Sequence, residues 1–289
     1  MILKLLLISQ LSSFGFQHLF VPYSPYEDLL MKDEISLLFE REFFQYKKKN
    51  LIIDFFERKS FVSFSHTRWI ANSRLNKVSV YLDNLKTLLM FKFFDYGKFE
   101  LYEFPAENSI ITYNPFGVSV GVSRNFSISK EFPFFLSIFY NEEKFLEKKA
   151  KNFSLNFNLF INVLKNPKFE VSLINLGTKP LYNEEYIRLP VYSDLKVYLY
   201  SRKMGTMLNF TYRRGFWGKK NFFNGLSLSF EKEFKDFLKF FTAICKKDEN
   251  GMLGVGFETK LKEIIKFVYS YRTFGHFEDI NSFSLKIEF

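Results

Sequence analysis

The chain of 289 residues has one cysteine, three histidines and no long apolar run. Because Cys245 is the single cysteine, an intrachain disulfide and every paired-thiol metal motif are excluded. No stretch reaches about 18 uninterrupted apolar residues, which argues against membrane-spanning helices. His18, His66 and His276 lack metal-ligand spacing with one another or with the cysteine. No nucleotide-binding or calcium-binding motif occurs, so we expect neither a metal nor another cofactor.

The formal net charge of +10 raises the question of a nucleic-acid partner. The Lys and Arg residues are scattered, however, and often lie beside an acid, as in residues 231–233. The longest cationic run is residues 47–49, and no recognised nucleic-acid-binding module occurs. We expect no nucleic-acid partner, because basic turns and a basic lumen that face anionic lipid head groups explain the excess more simply.

Aromatic residues are abundant and make up 20% of the chain, with 41 Phe against 2 Trp. Hydrophobic residues make up 47%, yet the mean hydropathy is only −0.09. The strands of an outer-membrane barrel combine these properties, because only every second residue meets lipid. A coding bias toward Phe, Lys and Ile is a simpler explanation that contributes to the same composition.

The amino-terminal part of the chain differs from the rest. Residues 1–17 are typical of a signal peptide, with Lys4 as a positive start, a short apolar run and a small-x-small cleavage pattern at residues 13–15. The alternative is a short buried helix or strand. In residues 18–58 the apolar spacing is near three and four, which predicts one or two helices that form a plug in a barrel or lie along its rim. A membrane-surface helix is the alternative there.

From residue 59 the apolar period changes to two, which is the period of a β-strand. In Phe153–Val163 apolar residues alternate with Ser and Asn, and Phe160 is the one break on the polar side. The length matches the roughly 9–11 residues of a tilted strand that crosses a bilayer. Similar alternation marks candidate strands near residues 60–66, 76–82, 87–95, 109–113, 118–123, 134–140, 169–175, 195–200, 208–213, 226–231, 236–246, 253–258, 263–273 and 282–289.

The strand candidates number fourteen or fifteen, and turn signals such as Asn114-Pro115 and Asn250-Gly251 separate them. No helical block lies between them, which argues against an α/β fold. Single-chain outer-membrane barrels usually have an even number of strands, so we choose about 14. The predicted fold is all-β: a single antiparallel transmembrane β-barrel formed by residues 59–289, with a short N-terminal helical segment.

The end of the chain has two chemically different faces. Residues 282, 284, 286 and 288 are polar, and the residues between them and after them are apolar. The apolar face consists of Phe283, Leu285, Ile287 and Phe289. We predict that this face meets lipid and that it is the signal by which the barrel-assembly machinery recognises a closing strand. A soluble β-sandwich could finish on a similar strand, which leaves a soluble periplasmic protein as an alternative.

Two short motifs resemble those of the PorV/PorQ family. The first is Phe64–Ile70, which contains Trp69. The second is Asn175-Leu176-Gly177, followed by a polar loop that ends at Pro190. The resemblance covers roughly residues 60–289, although the family's Asn-Pro-Ala-Gly motif near the first strand is absent. It implies a FadL-like outer-membrane barrel that carries or docks exported substrates by their carboxy-terminal signal domain.

Asn175 and Gly177 also have a physical interpretation of their own. Both residue types tolerate a positive φ angle, so we predict a tight turn that closes the strand at Val171–Ile174. A loop that meets cargo is the functional alternative.

Aromatic girdles anchor membrane proteins at the two interfaces between lipid and water. The candidates for such girdles are Trp69, Trp217, Tyr212, Tyr269 and Tyr271. In a soluble core the same residues would only pack.

Signals for catalysis are weak. Ser65 and His66 are adjacent and suggest a Ser–His pair, but no carboxylate is placed to orient the base and no Gly-x-Ser-x-Gly motif occurs. The acidic pairs at 142–143 and 184–185 lie among turn residues and fit solvated charges. We therefore predict that the protein is not an enzyme.

The predicted function is that of a scaffold or shuttle for exported proteins in the outer membrane of a diderm bacterium. The alternative is a FadL-like transporter or channel for small hydrophobic solutes. A barrel esterase or phospholipase is a weaker alternative. The expected partners are outer-membrane lipid, the barrel-assembly machinery, and either secreted proteins or hydrophobic small molecules.

Overall fold

A computed structural model describes most of the chain from residue 60 onward. The described residues are 60–69, 73–102, 109–127, 129, 131–145, 148–163, 166–182, 185–186, 189, 191–201, 204–217, 220–234, 237–247, 250–262, 264–273 and 279–289. The predicted signal peptide and the predicted helical segment lie outside them.

Eighteen strands form in the described part of the chain. They are β1 (Phe61–Arg68), β2 (Arg74–Leu82), β3 (Thr87–Asp95), β4 (Phe99–Tyr102), β5 (Ser109–Tyr113), β6 (Phe116–Ser127), β7 (Pro133–Phe145), β8 (Lys148–Ile161), β9 (Lys168–Gly177), β10 (Leu181–Tyr182), β11 (Glu185–Tyr186), β12 (Val191–Ser201), β13 (Thr206–Trp217), β14 (Lys220–Phe234), β15 (Leu238–Lys247), β16 (Asn250–Lys262), β17 (Ile265–Arg272) and β18 (Ile280–Glu288).

Fourteen of these strands close into one antiparallel barrel. Around the barrel they follow the order β1-β2-β3-β6-β7-β8-β9-β12-β13-β14-β15-β16-β17-β18, and β18 then pairs with β1. The other four strands form two separate hairpins that are not part of the barrel sheet, β4–β5 and β10–β11. The predicted all-β barrel of about 14 strands is confirmed.

One strand candidate lies elsewhere than expected. Residues 109–113 form β5, which pairs with β4 outside the barrel wall. At 5 residues β5 is shorter than a strand that crosses a bilayer. Among the described residues, no helix is long and apolar enough to cross a membrane.

The barrel closes along a continuous antiparallel seam. Strand β1 pairs with β18 from Phe61 opposite Glu288 to Arg68 opposite Asn281. A sheet closed in this way leaves no unpaired strand edge, which hydrocarbon could not hydrogen-bond. The seam therefore meets the main requirement for a sheet that spans a membrane.

The two faces of the barrel wall differ in polarity. Outward-facing side chains are apolar and exposed, as Leu228 at 53% and Val255 at 51% illustrate. Inward-facing neighbours such as Ser227 and Ser229 are buried, and each is only 2% exposed. This reverses the arrangement of a soluble protein and matches an outer-membrane barrel. The soluble β-sandwich is therefore wrong, because the apolar faces do not meet each other.

The two ends of the barrel differ in their connections. At the end where β1 begins and β18 ends, called the terminal end below, turns are short, and the longest, residues 162–167, has six residues. The opposite end, called the loop end, carries the β4–β5 and β10–β11 hairpins. Bacterial outer-membrane barrels have short periplasmic turns and longer extracellular loops, so the terminal end corresponds to the periplasmic side.

Candidate functional site in the barrel interior

An apolar group of side chains faces the barrel interior in the half near the terminal end. This aromatic cluster consists of Phe61, Tyr81, Leu88, Met90, Phe135, Phe139 and Phe160. Phe61 stacks on Tyr81 with ring centroids 5.6 Å apart. The ring of Phe160 meets that of Phe135 edge-on at 5.9 Å. The break in the polar side of β8 is thus an apolar contact inside the barrel.

A glycine on β6 makes room for one ring of the aromatic cluster. Gly121 lies directly opposite Phe139 on β7. A Cβ atom at Gly121 would lie only 2.3 Å from carbon atoms of that ring. The ring of Phe139 therefore covers the backbone of β6, and Gly121 is required by close approach.

A buried polar group lies on the neighbouring part of the wall, and we call it the Glu170 network. The carboxylate of Glu170 accepts hydrogen bonds from Lys196 Nζ at 2.8 Å and from Tyr198 OH at 2.6 Å. Its Oε1 atom also accepts from Ser172 Oγ at 2.9 Å and from Asn158 Nδ2 at 3.1 Å. The side chains of Glu170 and Lys196 are 0% and 2% exposed. Such a pair is stable only because the geometry and the extra hydrogen bonds offset the cost of desolvation.

Further ion pairs extend this polar surface across the next strands. Arg213 on β13 donates two hydrogen bonds of 2.7 Å to the carboxylate of Asp194 on β12. Its guanidinium carbon also lies 4.3 Å from the ring centre of Tyr192. Asn209 donates to Glu231 on β14 at 2.7 Å. Each of these carboxylates thus meets a guanidinium or amide donor on the adjacent strand, and such cross-strand pairs stabilise the sheet.

The aromatic cluster and the Glu170 network meet on β8. Phe160 lies directly opposite Glu170, and Asn158 lies opposite Ser172. Asn158 and Phe160 are both 0% exposed. The interior therefore changes from apolar to polar within two residues of one strand.

The inner face at the closing seam has a third character. Small hydroxyl side chains cover it, and they are Ser63, Ser65, Thr67, Ser79, Ser270, Ser282 and Ser284. Ser65 Oγ donates to Ser284 Oγ at 2.9 Å, and the hydroxyls of Thr67 and Ser282 lie 2.5 Å apart. These bonds link β1 to β18 across the seam.

The Asn-Leu-Gly motif forms a β-bulge, so the predicted closing turn is wrong. Strand β9 continues to Gly177, and its register with β8 shifts at Asn156. Asn175 has a φ of 61°, and its backbone N–H donates to Asn156 Oδ1 at 2.8 Å. A Cβ at Gly177 would lie 2.1 Å from the carbonyl oxygen of Phe153. The positive φ was anticipated for Asn175, but a bulge accommodates it inside the strand. Leu176 faces outward, 38% exposed.

The other positions of the family resemblance lie at the loop end. Trp69 packs against Leu75 and Phe94, which face inward, and Arg272 lies 5.4 Å from the ring centre. Trp69 therefore packs on the inner side of the barrel at its loop end. The prediction that it belongs to an outward-facing girdle is wrong. Pro190 lies outside the described residues, whereas the adjacent Leu189 is buried against Ala150.

The three predicted girdle tyrosines have the expected orientation. Tyr269 and Tyr271 alternate with buried, inward-facing residues of β17, so they face outward near the loop end. Tyr269 donates to Asn281 Oδ1 at 2.6 Å. Tyr212 alternates in the same way with the buried Thr211 on β13. The side chain of Trp217 is outside the described part of the chain.

Ser65 and His66 point to opposite faces of β1. Ser65 is bonded to Ser284 inside the barrel, whereas the His66 ring lies outside, 5.2 Å from the ring of Phe283. His66 Nδ1 is 2.8 Å from Asn76 Oδ1. Successive strand residues diverge in this way, so the two side chains cannot act as nucleophile and base. Within the described ranges, no group of three His, Cys, Asp or Glu side chains could hold a metal ion.

The apolar residues of the last strand meet the outside of the barrel. Phe283, Leu285 and Ile287 are 37–41% exposed, and Phe289 is 63% exposed. Their strand closes the barrel against β1. The lipid-facing orientation expected for them is present, and their role as an assembly signal stays a prediction.

No protein-family model matches this sequence, and no curated protein matches it by sequence. Solved structures do. The chain is similar to the toluene transporter TodX of P. putida, with a TM-score of 0.57 and 7% identity, over 81% of this chain and 91% of TodX. It is also similar to the monoaromatic hydrocarbon channel CymD, with a TM-score of 0.54 and 8% identity, over 81% and 89% of the two chains. At these identities the likeness shows the fold.

The closed wall, the apolar outer belt and the polar inner face define the class of this protein. It is an outer-membrane β-barrel protein, located in the outer membrane of a Gram-negative bacterium. The barrel fold is shared with the toluene transporter TodX. The finer resemblance to the PorV/PorQ family stays a prediction.

Proposed function

We propose that the protein is a channel or transporter for small hydrophobic solutes across the outer membrane, with no catalytic step. The aromatic cluster carries this proposal. The interior of a water-filled porin is polar, whereas here seven apolar or aromatic side chains face inward together. Such a surface compensates a hydrophobic solute for leaving lipid or water, at about 25 cal/mol per Å² of apolar area covered.

The similar structures support the same class of function. TodX is described as a toluene transporter and CymD as a monoaromatic hydrocarbon channel. Aromatic side chains suit aromatic solutes, because ring pairs gain about 0.5–1.5 kcal/mol beyond the area they bury. A small aromatic hydrocarbon is therefore the first solute to test.

The aromatic cluster and the Glu170 network together suggest how transport is limited to small solutes. Phe160 and Glu170 face each other across the β8–β9 pair and are both fully buried. A passing solute has to displace side chains from close packing, which favours compact molecules. We propose that the apolar side of this junction is the contact surface for the solute.

The test is uptake of radiolabelled toluene by cells that lack their own outer-membrane hydrocarbon channels. Cells producing the native protein should take up toluene several-fold faster than cells with an empty vector. Phe160→Asn, which restores the polar pattern of β8, should reduce that difference strongly. Met207→Asn is the matched control, because Met207 is an inward-facing buried residue outside the aromatic cluster.

Gel migration before and after boiling shows whether each variant forms a folded barrel. The proposal fails if the native protein gives no faster uptake of toluene than the vector. It also fails if a polar solute of similar size, such as glycerol, enters equally fast, or if both variants reduce uptake alike while remaining folded.

A scaffold or shuttle for exported proteins is the second candidate function. The observation that favours it is the pair of hairpins, β4–β5 and β10–β11, which belong to the loop-end connections and are not part of the barrel sheet. Backbone edges of short hairpins can pair with a segment of another protein. Chemical cross-linking in cells should capture a secreted protein's terminal domain, and deletion of residues 99–113 should abolish capture while toluene uptake persists.

A further inference from the structure

Positive charge is concentrated on the outer face of the barrel at its loop end. On the described strands, the cationic residues there are Arg68, Arg74, Lys144, Lys149, Lys151, Arg214 and Lys246. The acidic residues on the same surface of these strands are Asp95 and Glu142. The corresponding outward-facing cations near the terminal end are Arg124 and Lys232. The excess is therefore a property of one end of the barrel.

The highest local density is on β7 and β8. Lys144, Lys149 and Lys151 form what we call the lysine cluster. Lys144 lies directly opposite Lys149, and Glu142 lies opposite Lys151. The Nζ atoms of Lys149 and Lys151 are 3.7 Å and 3.8 Å from the Glu142 carboxylate, and the two lysine side chains are 54% and 59% exposed. One carboxylate therefore offsets part of the charge of two of the three ammonium groups.

Like charges face each other twice at this end. Besides Lys144 and Lys149, Arg68 on β1 lies directly opposite Arg74 on β2, although Arg74 also lies opposite Asp95 on β3. Like charges directly opposite on adjacent strands destabilise a sheet. An anion from outside the chain relieves the repulsion between Lys144 and Lys149 when it binds there, and its binding is strengthened by the same charges.

The lysine cluster lies immediately beside the lipid-facing belt. The next outward-facing pair toward the barrel centre is Tyr140 and Phe153. These residues lie opposite each other with ring centres 5.5 Å apart. Tyr140 OH donates to Glu142 Oε2 at 2.9 Å. The next outward pair, Ile138 and Leu155, is apolar and exposed. The ammonium groups thus lie at the depth where lipid head groups begin.

We propose that the lysine cluster binds the phosphate groups of phosphorylated lipids in the outer leaflet of the outer membrane. The loop end faces the outside, because short turns mark the periplasmic end of such barrels. Lipid phosphates present multiple negative charges at head-group depth, which matches a cluster of three lysines with a single carboxylate, Glu142, beside two of them. This inference does not depend on the transport proposal.

The test is native mass spectrometry of the detergent-solubilised barrel with added lipid A that carries two phosphates. Lys149→Gln combined with Lys151→Gln should weaken binding about thirtyfold, since each cation near an anionic lipid contributes about a factor of five. Arg124→Gln combined with Lys232→Gln is the matched control, because it removes two outward cations at the terminal end. The control should bind lipid A as the native protein does.

Three results would overturn the proposal. Equal loss of binding in both double variants would indicate general charge attraction. Equal binding of lipid A from which the phosphates were removed would indicate recognition of the acyl chains. Full displacement of lipid A by millimolar inorganic phosphate would indicate a site for a small free anion. If the loop-end double variant does not fold, Lys144→Gln provides the same test, because it leaves both lysine contacts to Glu142 intact.

Discussion

The aromatic cluster and the Glu170 network occupy neighbouring parts of one barrel interior but are held together by different forces. The aromatic cluster gains stability from area and shape, through contacts that are individually weak and without direction. The Glu170 network depends on a few directed bonds between buried charges. The comparison predicts that the barrel tolerates the exchange of one apolar side chain for another of similar size in the aromatic cluster. The exchange of a charged side chain in the Glu170 network should instead lower its stability.

Removal of a single charge from the Glu170 network should have the largest effect. Lys196→Met leaves the Glu170 carboxylate buried without its cation, so the free energy of unfolding should fall by about 3–5 kcal/mol. Urea titration of the barrel in lipid vesicles, followed by tryptophan fluorescence, measures this. Adding Glu170→Gln should recover most of the loss. If the double variant is as unstable as the single one, the charge pair is not the cause.

Overpacking in the aromatic cluster should have the next largest effect. Gly121→Val places side-chain atoms where the Phe139 ring lies, which should cost about 1–3 kcal/mol in the same titration. Phe139→Ala in the same chain should restore part of that stability. Gly251→Val is the matched control and should be neutral, because nothing lies within 4 Å of a Cβ at Gly251. Equal losses at the two glycines would contradict the packing explanation.

An exchange that conserves volume sharpens the contrast between the two regions. Met90→Leu in the aromatic cluster should cost less than about 1.5 kcal/mol, because size and apolar character are kept. Glu170→Gln conserves volume in the same way but leaves Lys196 without a counter-charge. Its cost should be clearly larger in the same urea titration. Similar costs would mean that charge pairing adds little to the barrel.

Removal of a hydroxyl group at the closing seam between β1 and β18 should also have a small effect. Ser65→Ala removes one partner of a buried bond to Ser284, which should cost about 0.5–1.5 kcal/mol. Ser284→Ala in addition removes the second polar group, so the double variant should lose less than twice that amount. Strict additivity would show that the two hydroxyls act independently.

The strand pattern was predictable because lipid and barrel interior impose opposite demands on successive residues. Fourteen candidates lie in the barrel wall, and one candidate, residues 109–113, belongs to the separate β4–β5 hairpin. Its alternation was correct, but alternation alone does not identify the partner strand. The even strand count of known barrels was therefore the better guide.

The candidate site was less accessible from sequence, because it depends on register. The alternation in residues 195–200 puts Lys196 on the polar side of its strand, but its bond to Glu170 becomes visible only when β9 and β12 are aligned. The loop with β10–β11 separates these strands in sequence. Phe160 was the single visible signal of the aromatic cluster, since it interrupts an otherwise polar face. For Asn175 the backbone angle was anticipated, whereas the bulge needed the partner strand.

The pairing of β1 with β18 has a consequence for biogenesis. Ser65 and Ser284 are 219 positions apart, so β1 cannot pair with β18 until nearly the whole chain has been synthesised. An incomplete chain is an open sheet with two unpaired strand edges, and such edges can pair with other chains and aggregate. Protection of both unpaired edges until the last strand pairs with β1 is therefore a requirement of this topology.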